Sequence, residues 1–331
     1  MIAKLKRREF ITLLGGTVAA WPLAARAQSS TIHRIGWISL AAPEDAETSP
    51  YFEEFRAGLR DLGYVEGRNI TIDARWARGD PDRGVELAKD LVQRGVAAIV
   101  TQGAAIRVVR PLAVSIPVIF ALSADPEKAG LVDNLARPGR NFTGVTLMSY
   151  EVNAKRLELL KEIFPAALRV ALLSNPEHAG EHIELERSQK AAAALGLTIH
   201  YIPVRSEKEF DPAFAAITKE GAEAIIILPD ALMMQHRARV IEFAMKQRIP
   251  AVSGWPAFAR SGGIMTYGPN MREAFRALAR SVDKVLKGAN PAEVPVEQPT
   301  RFQLVVNVKA ARAIGLTLSP FLLARADEVI E

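Results

Sequence analysis

The chain has 331 residues, 42 lysines and arginines against 37 aspartates and glutamates, and no cysteine, which gives a formal net charge of +5. A sequence without thiols excludes disulfides, a cysteine nucleophile, thiolate metal sites and a lipid anchor on an N-terminal cysteine. The length exceeds the size at which a single hydrophobic core keeps growing, so we expect two lobes.

The first 27 residues have the parts of an export signal. A charged start that contains Arg7-Arg8 precedes the apolar run 11–20, and a small-x-small ending follows at Ala25-Arg26-Ala27. Paired arginines in this position are typical of the twin-arginine type of signal. The alternative is a membrane-spanning helix, which needs about 20 apolar residues, whereas this run breaks at Trp21-Pro22. We therefore expect removal near Ala27 and a periplasmic location.

Loss of this signal removes most of the net charge. The segment 1–27 carries a net charge of +4, so the remainder is close to +1. A nucleic-acid-binding face needs a clustered basic stripe, and the sequence contains none. We expect no nucleic-acid partner and a monomer.

The segment after the signal alternates between strand-like and helix-like patterns, which indicates parallel βαβ units. In the first half we predict strands at 34–39, 69–76, 97–101 and 117–121, with helices at 51–62, 82–94 and 104–114. In the second half we predict helices at 152–164, 183–195, 207–220 and 232–247, with strands at 169–173, 198–204, 224–228 and 250–252.

The two halves also resemble each other in sequence. Leu62-Gly63 and Gly95 to Val100 frame one strand–helix unit, and Leu195-Gly196 and Gly221 to Ile226 frame the other. Helix ends of this kind are common in α/β proteins. We favour a duplicated lobe, because internal similarity indicates repeated architecture.

Ligands of open parallel sheets bind beyond the carboxyl ends of the strands, so the residues that follow each strand are the candidate site. They are Ser39, Gln102, Gly103, Ala104, Ser123, Ala124 and Asp125 in the first half, and Asn175, Asp230 and Trp255 in the second. Gln102, Gly103 and Ala104 form a strand-to-helix turn whose N–H groups could hold a carboxylate, or they form an ordinary turn. We expect Ser123 and Asp230 to donate or accept directional hydrogen bonds from opposite lobes.

Some candidates have two interpretations. Asp230 is either a helix cap or a ligand contact. Asp125 precedes Pro126 at the start of a short helix, so we favour capping as its role. Trp37, Tyr150, Trp255 and Tyr267 could stack on a flat ligand or pack in the core or the hinge.

Enzyme motifs are weak or missing in this sequence. His178, Glu181 and His182 match a zinc-peptidase pattern, but Gly180 weakens the helix where ligand geometry must be rigid. The sequence contains neither the Gly-x-Ser-x-Gly motif of a nucleophile elbow nor a phosphate-binding loop, and Gly15-Gly16 belongs to the signal. We predict a protein that is not an enzyme and needs no metal or other cofactor.

Five sets of residues stand out together: the signal with Arg7-Arg8, Asp125-Pro126 with 130–132, 135–139 with 141–145, 155–161, and 306–311 with 314–316. As a set, and over nearly the whole chain, they resemble one large group of ABC-transporter substrate-binding proteins. Some members of this group are similar to tryptophan-binding proteins, but no motif here fixes an amino acid as the ligand.

The resemblance implies an α/β fold of type I periplasmic binding proteins, with two Rossmann-like lobes of parallel sheets joined by three crossovers. We expect lobe 1 at 32–122 and 268–290, with a helix at 272–287, and lobe 2 at 145–264 and 301–331. The expected crossovers lie near 123–146, 264–269 and 290–303.

The resemblance also implies the function. We expect a soluble receptor that captures a small organic solute, an amino acid or an organic acid, and delivers it to an ABC permease in the inner membrane by hinge closure. A ligand-binding module that serves a membrane sensor is the first alternative. An exported α/β enzyme is the second, and it would convert its ligand instead of releasing it unchanged.

Overall fold

A computed structural model describes residues 32–45, 49–148 and 150–331. These residues form two α/β lobes, each built around its own sheet. The predicted fold class, two Rossmann-like lobes of mainly parallel strands, is therefore confirmed. The predicted export signal at 1–27 lies outside the described residues.

The first sheet contains five parallel strands in the order β2-β1-β3-β4-β5. They are β1 (His33–Ser39), β2 (Ile70–Trp76), β3 (Ala98–Gln102), β4 (Val118–Leu122) and β5 (Phe142–Thr146). In the register, Ile35 of β1 lies between Ile72 and Ala98. Strands β4 and β5 are buried along their whole length, as expected for a parallel sheet covered by helices on both faces.

The second sheet contains seven strands in the order β12-β11-β10-β9-β8-β6-β7. They are β6 (Arg169–Ser174), β7 (Thr198–Pro203), β8 (Ala224–Ile227), β9 (Ala251–Ser253), β10 (Met265–Pro269), β11 (Phe302–Asn307) and β12 (Glu328–Ile330). Strand β11 runs antiparallel to β10, and the other neighbours are parallel.

Twelve α-helices lie within the described ranges. In chain order they are α1 (Ser49–Asp61), α2 (Pro81–Gln93), α3 (Ile106–Val109), α4 (Val152–Ile163), α5 (Glu181–Ala194), α6 (Phe210–Lys219), α7 (Ala231–Gln235), α8 (Arg237–Gln247), α9 (Pro256–Arg260), α10 (Met271–Leu286), α11 (Val308–Ala313) and α12 (Pro320–Arg325). Among the helices in the described ranges, none has the length and apolar content that a bilayer crossing requires.

Helix α10 returns the chain to the first lobe. Phe275 stacks on Tyr51 of α1 at 5.1 Å between ring centroids, and its ring lies 6.3 Å from that of Trp37 in β1. Tyr64 donates a hydrogen bond to Asp283 at 3.0 Å. The late segment therefore completes the core of the first lobe.

The chain passes between the lobes three times: at 147–151, at Asn270 and at 287–301. The first two connections differ from the expected crossovers, because β5 lies inside the expected range 123–146 and β10 fills the range 264–269. The third overlaps the expected range 290–303. Strand β5 has four residues that favour a strand and one, Gly144, that does not. An added Cβ at Gly144 would lie 2.0 Å from the Phe120 carbonyl oxygen, so the glycine permits the close approach of β4. The strand is defined by its parallel pairing with β4, where Ile119 lies opposite Thr143.

The expected helix at 104–114 is broken. A 3₁₀ turn at Gly103–Ala105 leads into the four residues of α3, and a second 3₁₀ turn occupies Arg110–Val114. Pro111 has no backbone N–H and its ring clashes with the preceding turn, so a regular helix cannot continue through it.

Candidate functional site

The first lobe brings two candidate residues together at the ends of β1 and β3. The Ser39 hydroxyl is buried and accepts hydrogen bonds from the Ala41 N–H at 3.1 Å and from Gln102 Nε2 at 3.3 Å. Both partners belong to the same lobe. These contacts fix the side chain of Gln102 over the end of its own sheet.

The turn that was expected to hold a carboxylate is short. Gly103 adopts φ +54 and opens a 3₁₀ turn, and α3 that follows has four residues. A helix of this length sums few peptide dipoles, so the positive end is weaker than the sequence pattern indicated. Anion binding by Gln102, Gly103 and Ala104 stays a prediction.

The lobes touch beyond the end of β4. Ser123 Oγ lies 3.2 Å from His178 Nε2 of the second lobe, and the Asp125 N–H donates to the Ala179 carbonyl at 2.9 Å. Ala124 between them is buried. Burial lowers the pKa of His178, and the carboxylates of Asp230 and Glu181 oppose that shift only in part. His178 is a cross-lobe contact that the sequence suggested only as part of a discounted zinc motif.

Glu181, the carboxylate of the zinc-peptidase pattern, has a partner within the second lobe. Glu181 begins α5 and accepts a hydrogen bond from the Ser174 hydroxyl. The described residues contain no group of three His, Cys, Asp or Glu side chains placed to hold a metal ion.

Asp125 caps the short turn that follows it and also binds the first crossover. Its Oδ1 accepts from the N–H groups of Glu127 at 2.8 Å and Lys128 at 3.1 Å, and its Oδ2 accepts from the Tyr150 hydroxyl. Burial and this carboxylate raise the pKa of Tyr150. The Arg187 guanidinium lies 5.0 Å from the Tyr150 ring centroid, so one face of this ring already has a partner.

Asp230 and Asn175 form a buried pair in the second lobe. Asp230 Oδ1 accepts from the Met233 N–H at 2.8 Å and caps α7, and its Oδ2 accepts from Asn175 Nδ2 at 2.8 Å. Asn175 Oδ1 accepts from the Glu177 N–H at 3.0 Å. The capping role of Asp230 is present in the structure, and a ligand contact stays a prediction.

Two spaces open between the lobes. The narrow one, called the interlobe gap, has a volume of about 10 Å³ and is lined by Ser123, Leu147, Met148, Val152, Arg156, Glu184, Pro229, Trp255 and Pro269. The wide one, called the outer groove, has a volume of about 740 Å³, and its lining includes Asp125, Tyr150, Lys155, Tyr267, Gln298 and Phe302. Met148 and Val152 line both.

The candidate residues are divided between these spaces. Ser123 and Trp255 line the interlobe gap, and Asp125, Tyr150 and Tyr267 line the outer groove, where Tyr267 stacks on Phe302 at 6.0 Å. The others lie outside the residues that line either space; they are Ser39, Gln102, Gly103, Ala104, Ala124, Asn175 and Asp230.

The second lobe contains a buried polar network that was not predicted from the sequence. Arg156 Nε donates to the Tyr267 carbonyl at 2.7 Å, Arg156 Nη1 donates to Asn153 Oδ1, and Asn153 Nδ2 donates to Glu184 Oε1 at 3.3 Å. Burial lowers the pKa of Arg156 to about 10 and raises that of Glu184 to about 7. A usable signal was present, because Asn153 and Arg156 share the helical face of Leu160 and Ile163.

Comparison with known proteins identifies the family. A sequence model of the ABC transporter substrate binding protein family matches residues 49–330. A tyrosine-binding protein from Clostridioides difficile, strain R20291, is 24% identical over 266 residues, which are 79% of this chain and 75% of that protein.

Solved structures match as well. The ABC domain in complex with L-Trp from Streptococcus pneumoniae is 25% identical, with a TM-score of 0.81 over 91% of this chain and 100% of that one. A conserved domain protein from Vibrio cholerae is 24% identical, with a TM-score of 0.81 over 90% of this chain and 100% of that one. These relatives share the type I periplasmic-binding-protein fold predicted here.

The matching family is one of substrate-binding proteins, which agrees with the prediction that this chain is not an enzyme. The family match covers most of the chain, and the two-lobed architecture agrees with it. The chain belongs to the ABC transporter substrate-binding protein family.

Proposed function

We propose that this chain is an exported, periplasmic receptor that captures a small organic solute between its lobes and delivers it to an ABC permease of the inner membrane. The observation that carries the proposal is the interlobe gap, where Ser123 of the first lobe faces Arg156, Glu184 and Trp255 of the second. Opposed strand ends of two parallel sheets are the usual ligand position in such folds.

The mechanism follows from the size of the gap. A volume of about 10 Å³ holds about one water molecule, so a solute enters only when the lobes separate at the three crossovers. Separation breaks the Ser123–His178 and Asp125–Ala179 contacts. A solute that contacts both lobes replaces them and stabilises the closed form, which the permease then distinguishes from the open form.

The solute is an amino acid or an organic acid, and the comparisons favour an amino acid. One relative is a tyrosine-binding protein, and another was solved in complex with L-Trp. The interlobe gap combines apolar side chains, such as Leu147 and Trp255, with charged ones, which suits a solute of mixed polarity.

Thermal-shift screening tests the proposal. Purified protein is heated with each member of a library of amino acids, organic acids and sugars, and we expect one chemical group to raise the melting temperature. Mass spectrometry of the released solute should show it unchanged. A library without any stabilising solute, or a solute recovered in altered form, contradicts the proposal.

Export is tested separately. We expect the full chain to be found in the periplasm of a host cell with residues 1–27 removed, and Arg7→Lys with Arg8→Lys to retain it in the cytoplasm. Export that is indifferent to both arginines contradicts the twin-arginine route and leaves solute binding unaffected.

A further inference from the structure

Two ionisable side chains of opposite sign line the interlobe gap without pairing with each other. Arg156 is 4% exposed and Glu184 is 5% exposed. Within the described parts of the chain, no carboxylate oxygen lies within 4.0 Å of the Arg156 guanidinium. Its hydrogen-bond acceptors, the Tyr267 carbonyl and Asn153 Oδ1, are neutral. A buried guanidinium without a carboxylate beside it is costly, so its position at a ligand cleft needs an explanation.

Asn153 keeps the two charges apart. Its Oδ1 accepts from Arg156 Nη1, and its Nδ2 donates to Glu184 Oε1 at 3.3 Å. One amide thus contacts both charged groups and fixes a separation between them. All three residues lie on α4 and α5, so the arrangement belongs to the second lobe alone.

The guanidinium has an edge directed toward the strand ends. The hydrogen bonds described for Arg156 use Nε and Nη1. Nη2 lies against Gly254, immediately after β9, where an added Cβ would come within 2.2 Å of it. The absence of a side chain at Gly254 therefore gives Arg156 its place at the end of the sheet.

Burial shifts the pKa of each member of the pair against its charged form, so complementary charges on a ligand would stabilise both. Burial raises the pKa of Glu184 to about 7, since the distant Arg156 offsets only part of the desolvation. An ammonium group near Glu184 would favour its ionised form, and a carboxylate near Arg156 would compensate the guanidinium.

We propose that Arg156 and Glu184 bind the zwitterionic head of an α-amino acid, with the α-carboxylate on the guanidinium and the α-ammonium on the carboxylate. This assignment rests on the proposed function and specifies its solute class. Leu147, Met148 and Trp255 contact the same space and receive an apolar or aromatic side chain of the amino acid.

The test uses analogues that lack one charge. Calorimetric titration of the purified full chain compares L-tryptophan with tryptamine, which lacks the carboxylate, and with 3-indolepropionate, which lacks the ammonium. L-tyrosine, tyramine and 3-(4-hydroxyphenyl)propionate form a second series. We expect the wild-type protein to bind the amino acid about 30-fold or more tightly than either analogue, since each analogue leaves a buried charge unpaired.

Variants assign each charge. Arg156→Met should bind the amino acid and the amine equally while still discriminating against the acid, and Glu184→Gln should do the reverse. Arg156→Lys should restore part of the discrimination. Two control variants should match the wild type. Lys155→Met changes the neighbour of Arg156, which lines the outer groove, and Glu186→Gln changes an exposed residue on the helix of Glu184.

Several outcomes overturn the assignment. They are equal wild-type affinity for the amino acid and its analogues, discrimination against the amine that survives Arg156→Met, discrimination against the acid that survives Glu184→Gln, and a protein that binds organic acids or sugars but none of the standard L-amino acids. The last outcome leaves the proposed function standing, whereas a protein that binds no solute at all contradicts both. If Arg156→Met does not fold, Arg156→Lys takes its place, and equal wild-type affinity for the amino acid and its analogues still overturns the assignment.

Discussion

The first lobe meets the interlobe gap with a neutral hydroxyl, that of Ser123, whereas the second lobe meets it with the charged side chains of Arg156 and Glu184. The partners of this charged pair, Asn153 and the Tyr267 carbonyl, also belong to the second lobe. Separation of the lobes therefore leaves the charged network intact. From the proposed function we expect the second lobe to recognise the solute and the first lobe to close on it, with recognition preorganised in the open form.

The largest effect should come from holding the lobes apart. Gly180 adopts φ +92, and an added Cβ would lie 2.7 Å from Tyr150 Oη and 2.9 Å from Asp125 Cβ. We expect Gly180→Val to cost about 2–5 kcal/mol in combined stability and binding, from backbone strain and overlap between the lobes. Chemical denaturation measures the loss of stability, calorimetry measures the loss of solute affinity, and small-angle scattering shows whether the shape has expanded.

A matched glycine separates strain from overlap. Gly196 adopts φ +67 but has nothing within 4 Å of an added Cβ. Gly196→Val should therefore show the strain without the loss of affinity or the expanded shape. Equal affinity losses in both variants would show that the lobe contact at Gly180 is irrelevant to closure.

The second effect is a pH dependence that belongs to the second lobe. The pKa of Glu184 is raised from 4.5 to about 7, so the folded protein binds more protons than the unfolded chain between these values. The stability contributed by protonated Glu184 is fully present below pH 4.5 and is lost as the pH rises through about 7, by about 1–3 kcal/mol. Denaturation of the solute-free protein at several pH values measures this slope.

The variant Glu184→Gln isolates that contribution. His178 contributes with the opposite sign, because burial lowers its pKa and its stability contribution is lost as the pH falls. Arg156, Glu181 and Asp230 also act on Glu184. The stability of the wild type relative to Glu184→Gln should fall as the pH rises from 4.5 to 7, because Gln resembles the protonated side chain and does not titrate. A relative stability that is independent of pH contradicts the raised pKa.

The sequence predicted the architecture better than the site. Strand and helix alternation, together with the resemblance, predicted both sheets, since buried parallel strands have a distinctive composition. Strand β5 was missed although four of its five residues favour a strand, because the range 123–146 was assigned to a crossover. Its pairing with β4 places it inside the first sheet.

The residues that line the interlobe gap were anticipated only in part. The strand-end rule led to Ser123 and Trp255 but considered no helix residues, and Arg156 and Glu184 both lie on helices. Tertiary packing of α4 and α5 brings these side chains to the gap. A charged residue on the buried face of a helix is the sequence signal that would have found them.

The third effect concerns Asp230, a second-lobe carboxylate that lines neither space. Asp230→Ala removes the cap of α7 and leaves Asn175 Nδ2 without its partner, so we expect a stability loss of about 1–2 kcal/mol. If Asp230 also contacts the solute, affinity falls as well. Ser319→Ala removes an equivalent cap from α12 and should lower stability alone. Unchanged affinity in Asp230→Ala would remove Asp230 from the site.

The smallest effect should come from the neutral side of the gap. Ser123→Ala removes a single hydroxyl at 3.2 Å from His178 Nε2, so we expect a loss of about 0.5–1.5 kcal/mol, divided between stability and solute affinity. Ser115→Ala, which removes an exposed hydroxyl bonded to the Leu112 carbonyl in the same lobe, serves as the control. Both are measured by denaturation and calorimetry. An affinity loss for Ser123→Ala as large as that for Arg156→Met would mean that the first lobe shares in recognition, and the division of labour between the lobes would be wrong.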